Sequence, residues 1–277
     1  MELSGQWNPD ADKVFYRIAM IGTELEKGAD KMPCGPVRDA SSAIYSNLSA
    51  VSGTLLKICK DTTTPCSSQA VGSLLRSVID STISVFAFCH DPQNRAIMYL
   101  QYKAVLNWMH VERVIKNIGC PLLPTSQHEA REVEIAREMA GRDLWMMGIQ
   151  FLTKKVPSGR QPADFLREAV ENKSASAGWF RDHWWPEKFR HMVLAYEQMA
   201  WVDDVLYKWL CSCIHSDVCA GKPLAGLKRD SAAMLALQFW GSSVLRLSQA
   251  LGVDIGADNA RFLENTLYKR LQWVPAR

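Results

Sequence analysis

Apolar side chains recur every three or four residues along most of this chain, and the strict alternation that is typical of half-buried β-strands is nearly absent. Between about residues 10 and 31, for example, one helical face carries Val14, Ile18, Ile21 and Leu25. Loops rich in proline, glycine, serine and threonine separate such stretches. The pattern therefore predicts an all-α protein, a multi-helix bundle of about ten helices.

Start and stop signals place the ends of these helices. Ser67 or Ser68 can cap the third helix, because an N-cap side chain accepts a backbone hydrogen bond. Asp91 and Pro92 open the fourth helix, since proline fits the first helical turn. The predicted helices cover approximately residues 10–31, 36–60, 68–90, 92–118, 127–152, 163–173, a segment opening at 186, and residues 202–216, 231–251 and 258–273.

The stretch TKKVPSGRQPADF, residues 153–165, contains two prolines and one glycine and is typical of a linker. It predicts an N-terminal helical bundle over residues 1–155 and a C-terminal helical part over residues 156–277. We expect the two parts to share one core.

The segment GSLLRSVIDSTISVFAF, residues 72–88, is nearly apolar but carries two opposite charges. Arg76 and Asp80 are the only residues within 62–90 that are charged at neutral pH, and their spacing of four lets them pair on one helical face. Each charge at mid-membrane would cost roughly 2.5–3.5 kcal/mol, so a buried helix of a soluble protein is favoured over a membrane span. We expect a buried polar cluster, serving either as a functional pocket or as an ion pair that fixes helix register.

A second polar stripe follows the predicted helix at residues 202–216. Asp204, Lys208, Ser212 and His215 recur there at helical spacing. His215 lies at the C-terminal end of this helix, where the helix dipole favours its charged form. Two roles stay open for it: a general base or RNA-facing group, and a C-terminal cap of the helix.

Two segments carry a family resemblance. LLRSVIDSTISVFAFCHDPQNRAIMYLQY, followed downstream by LYKWLCSCIHSD, resembles an uncharacterised bacterial all-helical family that pairs an Arg-Ser-x-x-Glu helix with a later Tyr…Ser…His helix. The resemblance spans roughly residues 70–220 and implies a helical fold without an established activity. It assigns the motifs to Arg76, Ser77 and Asp80, with Asp80 where the family has Glu, and to Tyr207, Ser212 and His215.

The chain is also similar, more distantly, to HEPN ribonucleases of toxin and phage-defence systems. Their motif is an arginine, four to six residues, then a histidine, and it implies a metal-independent acid–base cleavage of RNA through the 2′-hydroxyl. In this chain six residues separate Lys208 from His215, and no arginine stands at the motif spacing before a histidine. Arg76, from another helix, is the candidate for the missing guanidinium. A HEPN-like core is the fold variant that this similarity implies.

The segment GWFRDHWW, residues 178–185, combines aromatic and charged side chains. Trp179, Arg181, His183 and Trp184 form a candidate binding surface for a partner protein or a stacked base. Packing in the core is the alternative, since buried tryptophan more often serves packing.

Composition narrows the function classes. The 277 residues are 48% hydrophobic and 22% charged with a formal net charge of +3, so bulk charge predicts neither a basic nucleic-acid-binding tail nor an acidic one. No secretory signal, nucleotide-binding glycine motif or nucleophile elbow is evident. We expect a cytoplasmic protein without membrane contact, whose eight cysteines are reduced.

One cysteine-rich stretch contains the residue types that form zinc sites. CSCIHSDVC holds four residues of zinc-ligand type, Cys211, Cys213, His215 and Cys219. Cys211 and Cys213, however, are two apart on a predicted helix and point away from each other. We therefore expect no metal site and no cofactor.

Two functions fit these observations. In the first, the protein is an effector or accessory protein of a bacterial defence or toxin-type system, directed at RNA through a pocket of Arg76, Asp80, Lys208 and His215. In the second, it is a non-catalytic helical module that binds a partner protein or a second copy of itself. The sequence leaves open whether the chain is an enzyme.

Overall fold

The computed structural model describes residues 9–63, 67–117, 127–185, 190–191, 194, 202–207, 210 and 228–268. Within these ranges the chain is helical, and the β-structure is an isolated bridge between Leu152 and Phe180. The prediction of an all-α protein is confirmed. The count of ten helices and the HEPN-like core stay predictions.

Eight α-helices lie in the described ranges. They are α1 (Pro9–Asp30), α2 (Pro36–Lys60), α3 (Ser68–His90), α4 (Pro92–Asn117), α5 (Gln127–Met147), α6 (Pro162–Glu171), α7 (Arg229–Leu251) and α8 (Ala257–Tyr268). Short 3₁₀ turns cover Ile149–Phe151 and Ala177–Trp179, and a π-helical segment covers Val202–Tyr207.

The predicted caps of α3 and α4 are present. The Ser67 hydroxyl accepts a hydrogen bond from the backbone N–H of Ala70 at 3.1 Å, and Asp91 Oδ1 accepts one from the backbone N–H of Asn94 at 3.4 Å. Both bonds satisfy N–H groups that have no partner inside the helix. Local chemistry therefore sets where these two helices begin.

The predicted extension of the fifth helix to residue 152 is wrong. α5 ends at Met147, and the backbone N–H of Gly148 bonds to the Leu144 carbonyl at 2.6 Å before the chain enters a 3₁₀ turn. A Cβ at position 148 would lie 2.6 Å from that carbonyl oxygen, so the close approach requires glycine.

The chain divides into two compact units. Unit one comprises Met1–Ala96 and Glu187–Arg277, and unit two comprises Ile97–Pro186. One boundary thus falls inside α4. The boundary that the sequence predicts near residue 155, and the single shared core, stay predictions.

Unit one is built around α7. This helix contacts α1, α2, α3 and α8, and α2 also contacts α3. Most of α7 is buried, including Phe239 and Trp240. A helix that is buried on nearly all sides has no polar face to present to water, which explains why small and apolar residues occupy most of it.

The apolar helix α3 also belongs to this core. Among the described residues, the one helix that is long and apolar enough to cross a membrane is Gln69–His90, and 67% of its most apolar window is buried inside the protein. Leu75, Val78 and Ile79 are each at most 1% exposed. The helix is therefore packed within the core of unit one. The cytoplasmic location stays a prediction.

Unit two packs α5 against α6 and the 3₁₀ turn at 149–151. The Tyr102 hydroxyl donates to the Arg181 carbonyl at 2.8 Å, and its ring meets Phe151 edge-on at 5.0 Å. Between α4 and α5, Arg137 pairs with Glu112 at 2.8 Å, both nearly buried. These contacts fix the segment around residue 181 on the helices of its own unit.

Candidate functional site

The polar face of α3 carries the ion pair that the sequence predicts. Arg76 Nε donates to Asp80 Oδ2 at 3.1 Å, with 15% of the arginine side chain and 27% of the aspartate side chain exposed. The pair is therefore partly rather than fully buried. Its partial exposure leaves this face of α3 open to a ligand, whereas the opposite face packs in the core.

The π-helical segment brings Tyr207 onto this pair. Arg76 Nη2 donates to the Tyr207 hydroxyl at 2.5 Å, and the Arg76 guanidinium carbon lies 3.8 Å from the centre of the tyrosine ring. Single π-helical turns are rare and recur at functional sites. The two segments that carry the family resemblance therefore lie side by side at Arg76 and Tyr207.

A second arginine completes the cluster. The guanidinium carbon of Arg190 lies 4.3 Å from the centre of the Tyr207 ring, a distance at which a cation is attracted to the ring face. We name the group Arg76, Asp80, Arg190 and Tyr207 the arginine–tyrosine cluster. The sequence reasoning missed Arg190, which follows the aromatic segment GWFRDHWW along the chain.

Electrostatics keep the Tyr207 phenol neutral. Burial, and next the negative charge of Asp80, raise the pKa of Tyr207 to about 12. At physiological pH the hydroxyl therefore holds its proton, and it can donate one hydrogen bond while it accepts another from Arg76.

Three candidate residues lie outside the described ranges. Lys208, Ser212 and His215 follow Tyr207 in the chain but have no described position. Their predicted place beside Arg76 stays a prediction. Ser77, on α3, is exposed, and its hydroxyl donates to the Ser73 carbonyl at 3.1 Å.

Comparison with known protein families identifies a family whose matched region includes the arginine–tyrosine cluster. Residues 67–223 match the sequence profile of DUF5677, a family of unknown function, over more than half of the chain. The chain belongs to this family. The DUF5677 region contains all four cluster residues, and it agrees with the predicted resemblance to an uncharacterised helical family over residues 70–220. No similarity to HEPN proteins is found. Neither the curated proteins nor the solved structures give a match.

Trp179 and Trp184, the aromatic candidates for binding, lie in unit two and contact other aromatic rings of that unit. Trp184 is 4% exposed and meets Tyr99 edge-on at 5.6 Å. Trp179 stacks on Phe165 at 5.4 Å. Such rings already have aromatic partners in the protein, which favours the packing alternative for them.

The two charged candidates of this segment are also in contact with their own unit. Arg181 donates to the Gln150 carbonyl at 3.0 Å and lies over the Phe151 ring at 4.9 Å. His183 stacks on Trp185 at 4.3 Å with nearly parallel rings. Their predicted role in binding stays a prediction.

The side chains that could bind a metal ion in the described ranges are histidine, cysteine, aspartate and glutamate. Where the structure describes the chain, no group of three or more histidine, cysteine, aspartate or glutamate side chains converges. The stretch from Cys211 to Cys219 lies outside these ranges. Of the cysteines inside them, Cys34 is an exposed free thiol. The expectation of no metal and no cofactor stays a prediction.

Proposed function

We propose that the arginine–tyrosine cluster binds the phosphate backbone of RNA, and that the protein is an RNA-directed effector or accessory protein of a bacterial defence or toxin-type system. The observation that carries the proposal is the convergence of Arg76 and Arg190 on the ring of Tyr207, next to Asp80. Guanidinium groups match phosphate oxygens in charge and geometry.

The two guanidinium groups of the cluster support an anionic ligand. Arg76 and Arg190 both lie against the Tyr207 ring, and Tyr207 is neutral at physiological pH because its pKa is raised to about 12. Two arginines on one ring can attract a phosphate even when the whole chain has a formal net charge of only +3.

Asp80 has a positioning role in this proposal. Its carboxylate accepts a hydrogen bond from Arg76 Nε, which restricts the rotamers of the long arginine side chain. A guanidinium whose direction is already set loses less side-chain entropy when a ligand binds. Tyr207 contributes a phenolic O–H that can donate to a phosphate oxygen.

Lys208 and His215 supply the chemistry in the catalytic version of the proposal. His215 acts as the general base that removes the proton of the ribose 2′-hydroxyl. The 2′-oxygen then bonds to the adjacent phosphorus, the bond from phosphorus to the 5′-oxygen of the next nucleotide breaks, and that oxygen takes a proton from water. Lys208 or Arg76 stabilises the charge that develops on the phosphate. Both residues follow the π-helical segment that carries Tyr207. The proposed reaction needs no metal ion. We expect the protein to act in the cytoplasm.

The direct test measures binding and cleavage of a labelled single-stranded RNA at low salt. Arg76→Ala should weaken binding by about tenfold or more, because a phosphate contact is lost. His215→Ala should abolish cleavage and leave binding nearly unchanged. Arg160→Ala is the matched control, since Arg160 is half exposed and pairs with Glu168 on the surface of unit two.

The outcomes separate the versions of this proposal. Binding without cleavage in the wild-type protein limits the function to RNA recognition. If the wild-type protein neither binds nor cleaves RNA, or if Arg76→Ala behaves like Arg160→Ala, the proposal is overturned. Circular dichroism of each variant establishes that the helices are intact.

A second candidate function is a non-catalytic interaction or oligomerisation module. It is favoured by large apolar side chains that the protein exposes on α5, namely Ile135, Met139 and Met146. Here the arginine–tyrosine cluster is structural, and its substitution lowers thermal stability without altering RNA binding.

A further inference from the structure

α5 has two faces, and only one of them is used inside unit two. Arg137, Ala140 and Leu144 lie on the inner face, where Ala140 and Leu144 are buried. On the opposite face, Ile135 is 51% exposed, Met139 is 63% exposed and Met146 is 59% exposed. Exposed apolar groups that recur along one helical face mark interaction surfaces more often than isolated ones do.

The spacing of this outer face is that of a helix-pairing seam. Ile135, Met139, Arg142 and Met146 follow one another at steps of four, three and four, the alternation that keeps side chains along one stripe of a helix. Three of the four positions are apolar. Arg142 interrupts the stripe, so the surface calls for a partner that brings a negative charge to this point.

Glu138 borders the same stripe and carries the complementary charge. Glu138 and Arg142 are both exposed, and neither makes an ion pair with any part of the chain that the structure describes. A second copy of α5 would therefore supply a Glu138 for Arg142 of the first copy and an Arg142 for its Glu138.

We propose that two copies of this protein pair through α5 in an antiparallel arrangement, with a two-fold axis near residues 140 and 141. In this register Ile135 of each copy lies opposite Met146 of the other. Arg142 of each copy lies beside Met139 and within reach of Glu138 of the other. The same patch thus complements itself, as a two-fold interface requires.

The charges favour a second copy over an unrelated apolar partner. A hydrophobic groove would bury Arg142 without a counter-charge, which is unfavourable. The antiparallel pair places one Glu138 beside each of the two Arg142 side chains. One helix face is smaller than a standard interface of about 1,600 Å², so the dimer should be weak and concentration-dependent. This inference does not rest on the RNA-binding proposal.

Sedimentation velocity of the full chain over a concentration series tests the pairing by charge reversal. Glu138→Arg should weaken dimerisation by about tenfold or more, because it places two arginines side by side across each half of the interface. The double variant Glu138→Arg/Arg142→Glu should restore it, since the attraction is re-formed with opposite signs. Lys31→Glu in unit one is the control.

A second substitution tests the apolar contacts. Ile135→Lys changes an exposed position, so folding is preserved, and it should also weaken the dimer about tenfold. The proposal is overturned if the wild-type protein stays monomeric throughout the series. It is overturned equally if a dimer forms that neither Glu138→Arg nor Ile135→Lys weakens.

Discussion

Arg76 is held from two directions, and this double contact explains how a charged side chain is accommodated in an otherwise apolar helix. Asp80, one turn along α3, neutralises the guanidinium, and the Tyr207 hydroxyl accepts one of its N–H groups. A partly buried charge is tolerated when it is paired and hydrogen-bonded in this way.

Tyr207→Phe isolates the hydroxyl from the ring. The substitution keeps the ring beside Arg76 and Arg190 but removes the acceptor of the Arg76 hydrogen bond. We expect the free energy of unfolding to fall by about 1–2 kcal/mol, because a hydrogen bond to a charged group is lost. Chemical denaturation measures the change. Tyr16→Phe, at a residue that is 59% exposed, is the control and should have little effect.

The raised pKa of Tyr207 predicts a loss of stability at alkaline pH. The folded protein keeps the phenolic proton up to about pH 12, whereas the unfolded chain releases it near pH 10. Between these values the folded state binds more protons, so the free energy of unfolding should fall as pH rises.

Tyr207→Phe separates this contribution from that of the other tyrosines, since burial also raises the pKa of Tyr45 to about 12. The variant should lose stability less steeply than the wild-type protein between about pH 10 and pH 12. Equal slopes for the two proteins would show that Tyr207 titrates normally.

The sequence allows the Arg76–Asp80 pair to be predicted because two opposite charges four residues apart stand out in an apolar helix. Arg190 could not be found this way. It lies among several charged residues, and only the fold brings it to the Tyr207 ring. A spacing rule detects neighbours on one helix, but not a contact between different segments such as that of Arg190 with Tyr207.

At the level of elements, one buried arginine joins the end of α2 to the start of α7. Arg229 Nη1 donates to the carbonyls of Ile58 at 2.9 Å and Asp61 at 2.6 Å. The last carbonyls of a helix have no partner within it, and a cation there also interacts favourably with the helix dipole. The contact closes the core of unit one at this end.

Arg229→Ala should therefore destabilise the protein by about 2–3 kcal/mol, because two carbonyls lose a charged donor at a buried site. Thermal unfolding followed by circular dichroism measures the effect. Arg246→Ala, on the same helix, removes an exposed hydrogen bond to Gln249 and serves as the control. Similar midpoints for the two variants would rule out the capping role.

Helix ends with a local chemical signal could be predicted, and those set by packing could not. The capping residues Ser67 and Asp91 indicate in the sequence itself where α3 and α4 begin. The early end of α5 depends on how closely Gly148 approaches Leu144, and a glycine followed by apolar residues does not reveal this contact.

For the whole molecule, the helical class follows from hydrophobic periodicity, whereas the division into units does not. The proline-rich stretch at residues 153–165 has the composition of a linker, but it lies inside unit two. Its first two residues, Thr153 and Lys154, donate backbone hydrogen bonds to the Trp179 carbonyl. Composition shows where the chain leaves a helix, and long-range contacts decide which segments belong together.

The central claim is that Arg76 contacts an RNA phosphate, and the salt dependence of RNA affinity tests it most directly. The account predicts that Arg76→Ala lowers the slope of log affinity against log salt concentration by about 1, while Arg160→Ala leaves it unchanged. Identical slopes and affinities for the wild-type and Arg76→Ala proteins would contradict the account.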